Sequence, residues 1–299
     1  MDSNIVFSPS SIYVVLSLIA AGSNGPTLDQ MLSFLRSKGN GQLNSFASEI
    51  IILVLTDGSQ SGGPRLCFVN GVWVDKSFPL KPSFKQIVDN VYKAESMEVD
   101  FETKADEVNS WAEKETNGLI KEVLPPGSVE WLTRLIFANA LYFKGTWNEK
   151  FDSWKTTNYS FYLLDGSSVP ALFMTSEKKQ YVEAYDGFKV LRLPYNKGED
   201  NRCFSMYLFL PNTKDGLPAL VEKVGSELGF LDRYLPSEAV QVGVFRIPRF
   251  EISFEFESSK VLKYLGLVLP FLSGGFTKMV DSPRASELSV SKNIPEVLY

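Results

Sequence analysis

The chain has 299 residues, with 30 Lys or Arg against 35 Asp or Glu and a formal net charge of −5. This mild acidity argues against nucleic-acid binding, because nucleic-acid readers usually carry a basic patch or stripe. The sequence contains no histidine, which excludes Ser/His/Asp triads, Cys–His pairs and the His-containing zinc and iron sites. Cys67 and Cys203 fit neither a zinc ligand set nor a disulfide scaffold. We expect both to be small buried apolar side chains and predict no metal site.

No apolar segment reaches the ~20 residues that a membrane-spanning helix needs. The apolar run 12–22 follows eleven residues without Lys or Arg, so it lacks the positive start of a secretory leader. We therefore interpret this run as a core helix, and we favour an intracellular, cytoplasmic protein that contacts no membrane. A glycosylation sequon, Asn158-Tyr159-Ser160, would matter only in a secreted protein.

The first 57 residues predict helices. Apolar side chains recur at helical spacing from Ile12 to Ala20, after the start signal Ser8-Pro9. Further helices are predicted over 27–36 and 44–55. The Gly/Ser-rich segment 58–64 predicts an exposed loop, and it lacks the Gly-Lys-Ser/Thr of a phosphate loop.

From residue 65 onwards, strands and helices intermix. The predicted elements are strands at 66–74 and 97–101 and helices at 82–91 and 106–117. The nearly continuous apolar run 134–143 is typical of a strand covered on both faces near the middle of a sheet. The run 203–210 is a second strand of the same kind.

Strands dominate beyond residue 150. Residues 250–257 alternate, with Phe250, Ile252, Phe254 and Phe256 on one face, which is typical of a half-buried strand. Late helices are predicted over 217–233 and 258–265. Because no repeat and no linker divides the chain, we predict a single α+β domain over residues 1–299.

A search for catalytic residues finds little. Ser176-x-x-Lys179 and Ser289-x-x-Lys292 have the spacing of a serine–lysine acyl enzyme, but the Ser-Asp-Asn and Lys-Thr-Gly motifs of such enzymes are missing. Pairs of carboxylates such as Glu113/Glu115 fit a solvated face better than an acid–base couple. We therefore predict no catalytic residue, no cofactor and no enzyme activity.

Asn139 stands alone in the apolar run 134–143. A buried amide without partners would cost about 1–3 kcal/mol, so Asn139 must be hydrogen-bonded. The small hydroxyls of Ser8 and Ser11, at the start of the first helix, are candidate partners. The simplest interpretation is a satisfied buried amide that fixes strand register, and a functional polar cluster is the alternative.

Several long segments closely resemble the signature segments of serpins. They are residues 4–12 (NIVFSPSSI), 117–120 (NGLI), 137–147 (FANALYFKGTW), 247–250 (IPRF) and 275–283 (GFTKMVDSP). Residues 111–118 and 180–188 resemble plant members specifically. The similarity keeps its order from Asn4 to about Ile294, so the chain is identified as a serpin-family member by resemblance.

The resemblance implies a fold of three β-sheets with surrounding helices, in which the large sheet is metastable. It also implies suicide inhibition of serine or cysteine proteases, whose cut of a reactive loop lets that loop insert as a strand. On this resemblance Asn139 would lie beside the sheet opening, with Ser8 and Ser11 in the polar cluster beneath it. Trp147 would lie near the upper end of the opening.

The chain also departs from the family pattern. After Leu288-Ser289-Val290-Ser291 the family continues through a His-Lys pair into an acidic strand, an Ala-rich hinge and the reactive loop. Here residues 292–299 read KNIPEVLY, and Pro295 makes this stretch poor material for a central strand. The first family helix is missing, and the region 103–109 is short by about one helical turn. We expect a chain truncated at both ends that contains no reactive bond.

Three functions are compatible with these observations. We favour a non-inhibitory serpin-family protein, with no protease target. The alternatives are a serine or cysteine endopeptidase inhibitor whose 299-residue sequence is incomplete, and a binding module that accepts a strand-donating peptide in its vacant slot. The resemblance leaves an extracellular location open. In family members, C-terminal segments pair with several strands, including the one that matches 203–210. Without those segments we expect marginal stability and self-association.

Overall fold

The computed structural model describes residues 5–101, 106–124, 126–129, 133–163, 165–252, 258–290 and 296–298, the last three by backbone alone. The chain forms two compact units. Unit 1 comprises Met1–Asp57, Arg65–Phe143 and Ile252–Tyr299, and unit 2 comprises Gly58–Pro64 and Lys144–Glu251. In the described part, no helix combines the length and the apolar character that crossing a membrane requires.

The described residues form eight α-helices and ten strands. The helices are α1 (Pro9–Gly22), α2 (Gly25–Phe34), α3 (Asn40–Glu49), α4 (Pro82–Asn90), α5 (Glu107–Glu115), α6 (Leu217–Ser226), α7 (Phe230–Arg233) and α8 (Ser258–Tyr264). The strands are β1 (Arg65–Asp75), β2 (Glu95–Val99), β3 (Leu135–Lys144), β4 (Thr157–Tyr162), β5 (Ser168–Met174), β6 (Tyr181–Tyr185), β7 (Phe188–Pro194), β8 (Ser205–Pro211), β9 (Ile247–Pro248) and β10 (Glu296–Leu298).

Helix α1 is the central helix of the unit 1 core. Ser8 caps it, since its side chain accepts a hydrogen bond from the backbone N–H of Ser11, and Pro9 starts the first turn. Every residue from Val14 to Gly22 is buried, so this helix is apolar on nearly all sides. A helix of that kind lies inside a protein.

The sheet of unit 1 has the strand order β10-β3-β1-β2. β1 and β2 run parallel, and β10 runs parallel to β3 with Glu296 opposite Asn139 and Leu298 opposite Leu141. Residues Leu135 to Ala140 of β3 are all buried. Leu135 and Phe137 belong to the core around α1, whereas their neighbours along the strand pack with Trp73 and Trp111 on the other face. The prediction of an inner strand covered on both faces is confirmed for this run.

Unit 2 contains two three-stranded sheets, with the orders β4-β5-β9 and β6-β7-β8, and all their pairings are antiparallel. Phe188, Val190, Leu220 and Phe230 form the small core that joins α6 and α7 to the second sheet. The ammonium group of Lys223 lies 5.1 Å from the ring centre of Phe188 and 5.0 Å from that of Tyr234.

Some sequence predictions need correction. Most of the run 203–210 lies in β8. In the described part of the chain, β8 is the last strand of its sheet, and its residues are half-buried or exposed. Cys203 is exposed and Cys67 is half-buried, so the expectation of two buried cysteines is wrong for Cys203. Residues 217–233 form two helices instead of one, because the chain turns at Gly229 with a φ of 71°.

The predicted alternating strand 250–257 is not found in its described portion. Residues 250–252 lie outside any strand, and Phe250 is 51% exposed. Residues 253–257, which include Phe254 and Phe256, lie outside the described residues. Residues 296–298 form the short strand β10 beside β3, although residues 294–299 were expected to be a poor strand. Pro295 itself lies outside the described residues.

Candidate functional site

The buried amide of Asn139 is the centre of a polar network within unit 1. Asn139 is 2% exposed, and its Oδ1 accepts a hydrogen bond from the Ser11 hydroxyl. Its Nδ2 donates to Oδ1 of Asn70 at 2.5 Å. The expectation that Asn139 has buried partners therefore agrees with the geometry, and one of the two candidate serines is a direct partner.

Asn70 was not predicted from the sequence. It lies on β1, is 3% exposed, and donates from its Nδ2 to the backbone carbonyl of Tyr92 at 3.3 Å. Asn70 is the one amide side chain in the apolar stretch 66–74. A lone amide in an apolar run is the same signal that marks Asn139, so it also marks Asn70. We call Ser11, Asn139, Asn70 and the Tyr92 carbonyl the asparagine cluster.

Ser8 joins this cluster through the backbone. Its Oγ accepts from the N–H of Ser11 at 3.2 Å and so holds the first turn of α1 in place. The Ser11 hydroxyl can then reach Asn139 from that turn. Ser8 thus positions the residue that contacts Asn139.

The asparagine cluster lies where β10 joins the sheet. Asn139 is the residue of β3 that lies opposite Glu296, at the first pair of the parallel β10–β3 register. The cluster links α1, β3 and β1 beneath that edge through neutral hydrogen bonds only. Because the Ser11 hydroxyl donates to an amide oxygen, which is not a general base, the cluster has no activated nucleophile. Its hydrogen bonds connect the first turn of α1 to β3 and β3 to β1.

Trp147 lies in unit 2, where it stacks on Tyr195 with ring centres 4.4 Å apart and an interplanar angle of 12°. The two residues also form an antiparallel bridge. Gly145 is required here, because a side chain at that position would meet the Tyr195 ring at 2.4 Å. Burial raises the pKa of the Tyr195 hydroxyl. The role of Trp147 at the upper end of a sheet opening stays a prediction.

A cavity of about 330 Å³ in unit 1 borders β1. Its lining includes Ile51, Leu55, Arg65 and Cys67. Burial raises the pKa of the Cys67 thiol, and the nearby Arg65 guanidinium opposes this shift. Among the described residues, no group of three or more His, Cys, Asp or Glu side chains could hold a metal ion.

Comparison with known proteins identifies the family of the chain. The model of the family described as "Serpin (serine protease inhibitor)" matches residues 1–297. Serpin-ZX from Arabidopsis thaliana is 58% identical over 299 residues, covering 98% of this chain and 76% of that protein. Serpin-ZXA from Oryza sativa subsp. japonica is 54% identical over 294 residues, covering 96% of this chain and 74% of that protein.

Solved structures of serpins have the same fold as this chain. Arabidopsis AtSerpin1 in its native stressed conformation superposes with a TM-score of 0.94 at 58% identity, covering 99% of this chain and 77% of that one. Uncleaved ovalbumin superposes with a TM-score of 0.81 at 24% identity, covering 98% and 79%, and that likeness shows the fold alone. The chain belongs to the serpin family. The predicted α+β class with three sheets and the resemblance to plant members are confirmed, and serpins are generally protease inhibitors rather than enzymes.

Proposed function

We propose that the 299-residue chain is a serpin framework that does not form the covalent complex with a protease and is not itself an enzyme. The observation that carries this proposal is a change of pattern inside the sequence, after Ser291. Where the family has a His-Lys pair followed by an acidic strand, residues 292–298 read KNIPEVL. This segment supplies neither the hinge nor the bond that a protease would cut.

The burial and the hydrogen bonds of β3 support the framework part of this proposal. β3 is buried on both faces, and the asparagine cluster ties it to α1 and β1. In this proposal β3 is the strand beside which a reactive loop would insert, as the family resemblance implies. The proposal is that no reactive loop inserts as a strand, although the sheet that would receive such a strand is formed.

Incubation with trypsin-like, chymotrypsin-like and papain-like proteases, followed by denaturing gel electrophoresis, tests this proposal. We expect no SDS-stable band that contains both proteins, while a serpin of known inhibitory activity gives such a band in parallel. A matched chimera carries, after Ser291, the segment of Serpin-ZX that follows the corresponding position. The chimera should gain the band if the framework is competent. A stable complex with the unaltered chain would refute the proposal.

The first alternative is an inhibitor whose 299-residue sequence is incomplete. It is favoured by the 58% identity to Serpin-ZX, of which the match covers 76%. The transcript decides between the two functions. A transcript with in-frame coding sequence for a hinge and a reactive loop downstream of the codon of Ile294 would support the inhibitor, and transcripts that all lack it would support the framework.

The second alternative is a module that accepts a strand-donating peptide. Its support is the edge of β3: in the described part of the chain, β10 pairs with only Asn139–Leu141 of this ten-residue strand. An extended peptide could add main-chain hydrogen bonds along the remainder. A fluorescent peptide with an Ala-rich hinge sequence should then bind saturably, and a scrambled peptide of the same composition should not. Equal binding of both peptides would rule this function out.

A further inference from the structure

The cavity of about 330 Å³ at the start of β1 has one wall formed by an unusual helical turn. Residues Ile50–Val54 form a π-helix directly after α3, and the N–H of Leu55 donates to the carbonyl of Ile50, five residues back, at 3.1 Å. Turns of this kind are rare and occur frequently at functional sites. Ile51 and Leu55 line the cavity and are buried, whereas the three residues between them are exposed. The turn therefore contributes two aliphatic side chains to the cavity wall.

The interior of this cavity offers little to a polar occupant. The hydroxyl of Thr56 lies within hydrogen-bond distance of the carbonyls of Ile51 and Ile52, at 3.2 and 2.8 Å. The carboxylate of Asp57 accepts from the backbone N–H of Leu66 at 3.1 Å. In the described part of the chain, no buried side-chain nitrogen or oxygen without a partner lines the cavity. Since a buried water needs two to four polar partners, the interior suits an apolar body.

The rim of the cavity carries a positive charge. Arg65 lines the cavity and is exposed, and its guanidinium lies 6.0 Å from the ring centre of Tyr142. Cys67 follows two residues along β1, and its thiol donates to the backbone carbonyl of Glu115 at 3.6 Å. Among the charges that shift the pKa of this thiol, that of Arg65 has the largest effect, ahead of Asp57 and Glu115. The largest single charge effect at the thiol is therefore that of a cation.

We propose that this cavity binds a small aromatic carboxylate, with the rings among its aliphatic side chains and the carboxylate on the guanidinium of Arg65. An apolar cavity of about 150 Å³ accommodates benzene, so 330 Å³ has room for a two-ring body. The planar fork of a guanidinium matches a carboxylate with two parallel hydrogen bonds. The site uses no residue of the asparagine cluster and does not rest on the proposed function.

A monoanion suits this cavity better than a phosphate or a sugar. Among the described lining residues, Arg65 is the one cation and Asp57 the one anion. A phosphate would bring about two negative charges to a single guanidinium with a carboxylate nearby. A sugar would need several buried hydrogen-bond partners that the wall does not offer. Apolar walls with a few placed polar groups are the usual composition of a small-molecule site.

Equilibrium dialysis of the 299-residue chain against 2-naphthoate at neutral pH tests the proposal, with 2-naphthamide as an uncharged probe of the same shape. We expect saturable binding of one 2-naphthoate per chain, with a Kd of about 1 mM or lower. The amide should bind about tenfold more weakly, because it cannot pair with the guanidinium as an anion. Arg65→Gln should remove this preference. Arg249→Gln, which removes an exposed arginine of unit 2, is the matched control and should leave it unchanged.

Two further measurements locate the bound probe. In a Cys203→Ser background, 2-naphthoate at about ten times its Kd should slow the alkylation of Cys67 by iodoacetamide about tenfold, in proportion to the occupied sites. Leu55→Trp fills the cavity and should abolish binding. Leu53→Ser, on the exposed side of the same turn, should leave binding unchanged.

Equal binding of 2-naphthoate and 2-naphthamide, or no saturable binding of either, would overturn the proposal. Unchanged alkylation of Cys67 at saturation, or binding that persists in Leu55→Trp, would overturn it as well. Binding lost in Leu53→Ser would assign the probe to the outer surface of the turn and contradict the proposal. If circular dichroism shows that Leu55→Trp is unfolded, Cys67→Met, which lengthens another lining side chain, takes its place in the dialysis.

Discussion

β3 and β8 are similar in sequence and different in surroundings. Both are apolar runs in which the strand core carries no charge. Six successive residues of β3, Leu135 to Ala140, are buried, and β3 has a strand on each side. No residue of β8 is fully buried, and Leu210 is 62% exposed. Among the described strands, β8 is the last of its sheet.

The difference shows what an apolar run can and cannot indicate. Its composition indicates that both faces tolerate burial, which holds for both strands. Whether the faces are covered depends on segments distant in the sequence. For β3 these are α1 on one face and the Trp73–Trp111 pair on the other. β3 also carries a buried amide that is hydrogen-bonded to Ser11 and Asn70. β8 has no polar side chain beyond Ser205 and the Tyr207 hydroxyl.

The largest expected effect compares a phenylalanine in each strand. Phe137→Ala in β3 should destabilise the protein by about 3–5 kcal/mol, because Phe137 is fully buried and leaves a cavity. Phe209→Ala in β8 should cost less than half as much, since Phe209 is only half-buried. Urea unfolding of the two variants measures both values. Equal losses would mean that β8 is covered in solution as completely as β3.

The asparagine cluster gives the next effect. Ser11→Ala and Asn139→Ala should each destabilise the protein by about 1–3 kcal/mol, because each leaves a buried polar group unpaired. The double variant should lose less than the sum of the two. Ser8→Ala should cost about 1 kcal/mol through loss of the helix cap. Ser45→Ala on the exposed side of α3 is the control. Additive losses for Ser11 and Asn139 would place them in separate environments.

A smaller effect concerns exposed apolar surface in unit 2. Four aliphatic side chains recur at helical spacing along α6 and just beyond it, and all are exposed: Leu217, Val221, Val224 and Leu228. The chain should therefore bind a hydrophobic dye at neutral pH. Replacing Val221 and Leu228 together by Ser should reduce the fluorescence without lowering the midpoint of unfolding. Undiminished fluorescence would show that the dye binds elsewhere.

The smallest effect is the ionisation of Cys67. Burial raises the pKa of this thiol, so its thiolate forms only at higher pH than that of an unfolded thiol. In a Cys203→Ser background, alkylation of Cys67 by iodoacetamide should rise with pH later in the folded protein than in denaturant. Arg65→Gln should move the folded curve further to higher pH, because the guanidinium lowers this pKa. Coincident folded and unfolded curves would contradict the prediction.

The sequence predicts much of unit 1 and less of unit 2. The helix from Pro9 and the inner strand β3 are recognisable because their apolar periodicity matches their burial. Asn139 is recognisable because a lone amide in an apolar run needs partners. Its partner Asn70 is not specified by spacing, since β1 and β3 are brought together only by the sheet.

The edge position of β8 and the exposure of Cys203 could not be read from local sequence for the same reason. Periodicity records which faces a segment prefers to bury, and the neighbours that cover those faces come from elsewhere in the chain. The break between α6 and α7 has a local signal, Gly229, whose φ of 71° suits glycine. A single Gly is a weak stop signal inside the helical pattern of residues 217–233, so the pattern alone predicts one helix.

Hydrogen exchange resolved at single amides tests the contrast between the two strands most directly. In β3, the amides of Leu135 to Ala140 should exchange slowly at every protein concentration, since all six residues are buried. In β8, the amides of Met206, Leu208 and Leu210 should also be slow, because they bond to β7 in the alternating antiparallel ladder. The amides of Ser205, Tyr207 and Phe209 should exchange faster, because β8 is the last strand of its sheet in the described part of the chain. Uniform slow exchange along β8 in a dilute monomer would show a covered strand and would contradict the account.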